Sequence, residues 1–93
     1  MVKAANASHI LITNARDAQG IMIRLSKGEN FEDLAKRFSK CPSASKGGNL
    51  GWFKKGDMVP EFEKAVFEGQ PGEIVGPVKS QFGYHIIRIN QLK

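Results

Sequence analysis

Apolar and polar residues alternate with a period of two near the start of the chain, in residues 7–13 (ASHILIT). This period is typical of a β-strand, in which successive side chains point to opposite faces. On such a strand His9 shares one face with Ala7 and Leu11, and two isoleucines occupy the other face. The pattern therefore predicts a strand that carries a histidine among apolar neighbours.

Two helical patterns follow this strand. Asn14 and Asn30 each stand where a helix N-cap is expected, because an asparagine side chain can accept a hydrogen bond from the first turn. Gly28 stands where a left-handed C-cap would end the first helix. The second helix should end at residues 39–40, because Pro42 restricts the residue before it to non-helical angles. The apolar residues at helical spacing are Ala18, Ile21, Met22 and Leu25 in the first helix, and Phe31, Leu34, Ala35 and Phe38 in the second.

Glycine and proline divide the middle of the chain into short elements. Residues 41–49 (CPSASKGGN) are predicted to form a loop, and residues 50–53 (LGWF) a short strand. Asp57 is then expected to cap a third helix, with Pro60 in its first turn, where a missing N–H costs least, and Gly69 at its end. The inward stripe of this helix consists of Phe62, Ala65 and Val66.

Strand patterns return near the end of the chain. Residues 74–78 predict a short strand, residues 80–83 a turn, and the rest of QFGYHIIRIN (81–90) a long final strand. His85 lies in this last strand, on the same face as two of its isoleucines. The predicted order is β-α-α-β-α-β-β, with room for an extra short helical turn, which defines an α+β fold.

The composition is that of a water-soluble folded domain. With 93 residues, of which 41% are hydrophobic and 25% charged, residues 1–93 suit one small domain with a single core. A lone cysteine, Cys41, excludes an internal disulfide framework. No apolar run approaches the ~20 residues that span a membrane, and the amino terminus is unlike a signal peptide. We therefore expect a monomer in the cytoplasm.

The chain carries a net charge of +5 and has an isoelectric point near 9.6. Such a charge favours acidic partners. The basic residues are scattered, however: Lys36, Arg37 and Lys40 form one group, and Lys54 and Lys55 another. A solvated basic surface is therefore favoured over a specific nucleic-acid patch, and nucleic acid and an acidic membrane surface stay open as weakly supported partners.

Three stretches of the sequence, in this order along the chain, resemble a known family. They are ASHILI near the start, FEDLAKRFSKCPSASKGGNLGWFKKGDMVPEFEKAVF in the middle and GEIVGPVKSQFGYHIIRI at the end. Together they closely resemble the parvulin family of peptidyl-prolyl cis/trans isomerases. The resemblance implies a four-stranded antiparallel sheet surrounded by α-helices, with the first and last strands side by side at its centre. His9 and His85 would then be neighbours.

The resemblance also implies an enzyme that isomerises X–Pro bonds in flexible or unfolded protein segments and so assists folding, without a cofactor or a covalent intermediate. The peptide bond resists rotation with a barrier of ~18–20 kcal/mol, because rotation destroys amide resonance. A catalyst must bind the twisted amide better than the planar one, and each ~1.4 kcal/mol of preference is a tenfold gain in rate. A hydrophobic pocket with a few oriented hydrogen bonds is enough.

By resemblance, the proline pocket consists of Leu50, Met58 and Phe62. Met58 and Phe62 are four residues apart, so one face of a helix can present both. From spacing alone, all three would be interpreted as core residues, and only the resemblance favours a pocket. Phe82 matches a position beside the pocket, where the alternative is a residue at the edge of a turn. Ser80, in the same turn, is assigned to the groove with it.

The resemblance assigns a catalytic role to His9, Cys41 and His85. Two neutral imidazoles can pair and still offer their outer nitrogens to hydroxyl or thiol groups, although a purely structural pair is the alternative. Cys41 is expected to act as a polar group near the substrate carbonyl, with nucleophilic attack as the less favoured hypothesis. A zinc site is disfavoured, because these three side chains supply only three ligands and no CxxC or HxxxH spacing exists.

Phospho-selective parvulins carry clustered arginines and lysines in an extended loop between the first strand and the first helix. Here the loop is only TNAR (13–16), in which Arg16 is the sole cation, with Asp17 beside it. We therefore expect no strong preference for phosphorylated Ser–Pro or Thr–Pro, and a neutral or apolar residue before the proline. The competing hypothesis is a binding module of the same fold, either a chaperone-like domain with weak catalysis or a basic adaptor.

Overall fold

The computed structural model describes residues 2–93, in which four strands, three α-helices and one 3-10 helix follow the predicted order. The 3-10 helix lies within the predicted loop 41–49 and supplies the extra helical turn. Most strand ends extend one to three residues beyond the prediction, because backbone pairing continues there, whereas β1 ends at Ile12, one residue before its predicted end. The elements are β1 (Ala4–Ile12), α1 (Ala15–Ser26), α2 (Phe31–Phe38), the 3-10 helix (Pro42–Lys46), β2 (Asn49–Lys54), α3 (Pro60–Phe67), β3 (Ile74–Ser80) and β4 (Gly83–Leu92).

The four strands form one antiparallel sheet in the order β2-β1-β4-β3. The first and last strands are therefore adjacent at the centre of the sheet, as expected. β3 and β4 are joined by a tight hairpin in which Ser80 pairs with Gly83. Helices cover both faces of the sheet, which confirms the α+β fold and the helix-surrounded sheet.

The sheet separates two apolar clusters. Ile10, Ile12 and Ile86 pack against α1 and α2 on one face. Ala7 and Ile87 pack against α3 on the other face. The period-two alternation of β1 and β4 produces this division, since neighbouring residues of a strand point to opposite sides. None of the helices among residues 2–93 is long and apolar enough to cross a membrane.

The predicted start of the third helix is wrong, whereas its predicted stop at Gly69 is confirmed with a different physical reason. Asp57 does not cap α3: its carboxylate accepts the Lys54 N–H at 2.9 Å in a turn, while Val59 is the N-cap and contributes no side-chain hydrogen bond. Gly69 follows the helix without a left-handed backbone. A side chain at Gly69 would collide with Ile89, so close packing, and not backbone conformation, requires glycine there.

Asn14 and Asn30 cap their helices as predicted. Each side chain accepts a backbone N–H in the first turn, from Asp17 and Asp33 respectively, at 2.9 Å. Gly28 follows α1 with φ of +92°, a conformation that a side chain would strain. The capping residues therefore fix the two helices that cover one face of the sheet.

Candidate active site

His9 and His85 lie on the same face of the two central strands. The register pairs His9 with Ile87 and Leu11 with His85, so the two histidines are diagonal neighbours across the strand pair. Their Nδ1 atoms are 2.9 Å apart and their rings are stacked, with 17° between the ring planes. The structure thus brings together two residues that are 76 positions apart in the sequence.

A chain of hydrogen bonds continues from this pair to the β3–β4 turn. Nε2 of His85 is 2.7 Å from Oγ of Ser80, and the same Oγ accepts the Phe82 N–H at 3.2 Å. Nε2 of His9 is buried and has no partner among the described residues. A neutral imidazole has one donor and one acceptor. Whether Ser80 Oγ or His85 Nε2 carries the proton between them therefore decides which atom donates in each hydrogen bond of the series Ser80–His85–His9.

Both imidazoles are neutral at neutral pH. Burial, and next the charge of His85, lower the pKa of His9 to about 4. Burial also lowers the pKa of His85. Phe62 contributes to this burial, since its ring stands edge-on against both imidazoles at centroid distances of 5.5 and 5.4 Å. The pair is therefore a buried, uncharged, hydrogen-bonded unit.

A groove of about 490 Å³ opens above this pair, between the central strands, the 3-10 helix and the start of α3. Its predicted proline-pocket residues Leu50, Met58 and Phe62 lie together on the wall, with Phe62 buried and the other two half-buried. Phe82 is 58% exposed at the rim. The remaining lining residues are His9, Leu11, Lys40, Cys41, Pro42, Asp57, Val59 and His85.

Cys41 lines the groove immediately before the 3-10 helix and is half-buried. Its thiol is not bonded to either imidazole: the two Nδ1 atoms face each other, Nε2 of His85 bonds Ser80, and Nε2 of His9 has no partner in the described part of the chain. Seven of the eight predicted site residues therefore line one groove. Ser80, predicted to lie in the groove, is outside its lining and joins the site only through its bond to His85, and Cys41 stands apart from the histidine network.

Local backbone geometry holds His9 in place. Its N–H donates to the Gly48 carbonyl at 2.9 Å, beside an irregularity in the pairing of β1 with β2. Gly48 has φ of +87°, and a side chain there would run into the backbone carbonyl of His9. Gly48 therefore permits the close approach of two chain segments beside His9.

Sequence reasoning missed several residues of the groove. Lys40 and Asp57 place charges on a mostly apolar wall, and Val59 and Leu11 add to its apolar part. The sequence marks Asp57 as a polar residue just before a helix, which predicted a helix cap. Its carboxylate instead accepts the Lys54 N–H in a turn. No group of three or more histidine, cysteine or acidic side chains in residues 2–93 is arranged to hold a metal ion.

A buried pair of neutral histidines beneath an apolar groove, at the centre of a four-stranded antiparallel sheet, defines a parvulin-type prolyl isomerase site. The family model of the rotamase, or PPIC-type PPIase, domain matches residues 4–91. The chain belongs to this family of peptidyl-prolyl cis/trans isomerases. The family and the class of enzyme predicted from the sequence are thus confirmed.

Similar proteins include foldases, chaperones and parvulins. The foldase protein PrsA of Bacillus subtilis is 54% identical over 83 residues, which are 88% of this chain and 28% of that protein. The solution structure of NmPin, the parvulin of Nitrosopumilus maritimus, has a TM-score of 0.85 and 48% identity, covering 96% of this chain and 97% of NmPin. A structure of SurA-like chaperones of Campylobacter jejuni has a TM-score of 0.92 and 36% identity, covering 100% of this chain and 40% of that one.

The chain spans less than a third of the curated foldases and chaperones that it matches. These relatives support a role in protein folding for the isomerase domain.

Proposed function

We propose that this chain accelerates rotation about X–Pro bonds in flexible or unfolded polypeptides by a non-covalent mechanism. The observation that carries the proposal is the neutral, stacked histidine pair directly beneath an apolar groove. Leu50, Met58 and Phe62 would hold the proline ring. Phe82, at the rim, would border the residue before the proline.

An apolar groove favours the twisted amide for a physical reason. The planar amide is the more polar form, because resonance separates charge between its oxygen and its nitrogen. Water stabilises that separation, whereas the walls around Phe62 do not. Moving the amide from water into the groove therefore destabilises the planar ground state more than the twisted transition state.

The histidine pair would act from below the substrate. Nε2 of His9 is closed off from solvent, and the other three ring nitrogens are engaged within the chain. The pair therefore fixes the strands under the groove without adding a charge, and we assign it a positioning role. A charged imidazole there would stabilise the polar planar amide and oppose the reaction.

Cys41 fits a non-covalent role. A thiol nucleophile is usually activated by a base within hydrogen-bonding distance, and neither imidazole is hydrogen-bonded to Cys41. Half-buried in the groove, the thiol would instead serve as a weak polar contact for the substrate. Retained activity in Cys41→Ala would support this role, and complete loss of activity in a folded Cys41→Ala protein would contradict it.

Exchange NMR on a short Leu–Pro peptide tests the proposal directly. We expect the cis/trans exchange rate to rise in proportion to protein concentration. We expect Met58→Ala to lower kcat/KM about tenfold, because it removes a groove wall that stabilises the twisted amide by ~1.4 kcal/mol. An exchange rate equal to that of the peptide alone would overturn the proposal and favour a chaperone-like binding module.

Met22→Ala is a matched control for Met58→Ala. Met22 is also half-buried, but it packs against the cluster under α1 and α2, on the opposite face of the sheet. Met22→Ala should reduce the free energy of unfolding by about as much as Met58→Ala does and leave kcat/KM of the folded protein unchanged. Equal losses of kcat/KM in both variants would mean that Met58 acts only through general stability.

The monomeric state and the cytoplasmic location stay predictions.

A further inference from the structure

A second groove of about 540 Å³ lies next to the proposed active site and is lined by several cations. It is enclosed by the end of β1, by α1 and by the end of α2. Ile12, Ile21 and Phe38 supply its apolar surface. Its positive side chains are Arg16, Arg24, Arg37 and Lys40.

Most of this positive charge is available to a ligand. Arg24 forms an ion pair with Glu29 at 3.0 Å. Within residues 2–93, no acidic side chain forms an ion pair with Arg16, Arg37 or Lys40, although the charge of Arg37 also helps, after that of Arg24, to lower the pKa of Glu29. Asp17 is the one acidic residue of the lining, and its carboxylate already accepts a hydrogen bond from the amide of Asn14.

The guanidinium groups are also held in position. Those of Arg24 and Arg37 lie 5.1 and 5.0 Å from the centre of the Phe38 ring. A guanidinium above a ring can still donate from its edge N–H groups. Those of Arg37 have no ion-pair partner among residues 2–93, whereas Nε–H of Arg24 already donates to Glu29. The groove thus combines an apolar ring with oriented cationic donors.

Lys40 joins the two grooves, because it lines both of them. A cavity of this volume is roughly 8 Å across, and an extended chain advances about 3.3 Å per residue. A polypeptide whose proline occupies the first groove would therefore place residues about three to six positions away in the second. The residue directly before the proline would not reach it.

We propose that the second groove binds acidic side chains of the client polypeptide, about three to six residues from the proline. This inference rests on the proposed isomerase function and adds a substrate preference to it. The groove raises the affinity for proline segments flanked by glutamate or aspartate, and it does not alter the rotation step. The preference therefore appears in KM and not in kcat.

A peptide series tests this preference. Each peptide contains one Leu–Pro bond and a run of three glutamates, three glutamines or three lysines, placed three to six residues before or after the proline. Exchange NMR at low salt measures KM and kcat. We expect one of the two placements of the run, before or after the proline, to give a glutamate peptide with a KM about fivefold lower than that of its glutamine counterpart and with equal kcat. This gain in KM should vanish in 0.5 M salt.

Two double variants provide the control. Arg16→Gln with Arg37→Gln removes two unpaired cations of the second groove, and Lys3→Gln with Lys64→Gln removes the same charge from exposed positions outside the cavities. The first should abolish the advantage of glutamate and leave the glutamine peptide unaffected. The second should preserve the advantage.

Three results would overturn the inference. One is equal KM for glutamate and glutamine peptides in both directions. Another is an equal loss of the glutamate advantage in both double variants, because the advantage would then come from the overall charge of the protein and not from the second groove. The third is a change in kcat with unchanged KM. Failure of the isomerase proposal is distinct, because the glutamine peptide would then show no acceleration at all.

Discussion

The two faces of the sheet differ in what they bury. Under α1 and α2, the sheet contributes Ile10, Ile12 and Ile86 to an apolar cluster, and asparagine side chains cap both helices. Under α3, the same strands contribute His9 and His85, and the helix begins without a side-chain cap. Both faces thus carry an apolar cluster, whereas the buried imidazoles lie on the α3 face alone, beneath the groove of the proposed active site.

This difference indicates how a small fold accommodates a site. A buried imidazole with an unpaired nitrogen costs free energy, so the apolar clusters on the two faces must supply the compensating stability. The central strands carry both functions, because alternate residues of one strand serve different faces. Mutations on the two faces should therefore separate stability from activity.

The largest effect is expected from the α2 face. Leu34 is 1% exposed, and Leu34→Ala would leave a cavity there and reduce the free energy of unfolding by about 3 kcal/mol. Urea unfolding measures this loss, while exchange NMR below the transition measures kcat/KM. We expect kcat/KM per folded molecule to be unchanged. A large fall in kcat/KM would mean that the two faces are coupled.

The next effect concerns pH and the histidine face. His9 has a pKa of about 4 in the folded chain and an ordinary value near 6.5 when unfolded, so the unfolded state binds more protons between these values. The resulting stabilisation is complete above pH 6.5 and declines as the pH falls towards 4. At pH 5 the loss is about 2 kcal/mol relative to pH 8.

Histidine ring NMR during an acid titration checks this expectation. The ring protons of His9 should keep their neutral chemical shifts down to about pH 5 while the chain stays folded. Urea unfolding at pH 8 and pH 5 should show the loss of stability, and His9→Asn should show a smaller one. A midpoint near pH 6.5 for His9 in the folded chain would contradict a buried neutral pair.

Sequence periodicity was enough to predict which residues share a face. The alternation in β1 placed His9 opposite the isoleucines, and the spacing of Phe31, Leu34 and Phe38 predicted the buried side of α2. Periodicity could not show that His9 and His85 meet, because strand order depends on contacts between distant segments. That prediction came from the family resemblance, and the pairing of β1 with β4 confirms it.

The second groove was missed for a similar reason. Arg16, which the sequence placed in a loop, lies in the first turn of α1 with Arg24 further along, and Arg37 lies in α2, so their convergence depends on how α1 packs beside α2. The sequence showed only scattered basic residues. The Asp57 prediction failed differently: a short acidic side chain suits either a helix cap or a turn, and the local turn at Lys54 uses it.

A serine on each face offers the finest comparison. Ser80 bonds Nε2 of His85 at 2.7 Å on the groove face, and Ser8 lies 3.2 Å from the Asn90 amide on the other face. Ser80→Ala would leave a buried imidazole nitrogen without a partner and should lower the free energy of unfolding by about 1.5 kcal/mol. Ser8→Ala should lower it less, because the Asn90 amide retains its bond to Asn6 at 2.9 Å.

The two variants should differ more clearly in activity. Without Ser80, the direction of the hydrogen-bond chain through His85 and His9 is no longer fixed, so ¹⁵N NMR should show a mixture of imidazole tautomers. We expect kcat to fall several-fold at constant KM, and Ser80→Thr, which restores the hydroxyl, to recover it. Ser8→Ala should keep full kcat. If Ser80→Ala also kept full kcat with mixed tautomers, the donor and acceptor roles along the hydrogen-bond series would have no part in the reaction. The histidine pair would then serve only to hold β1 and β4 together beneath the groove.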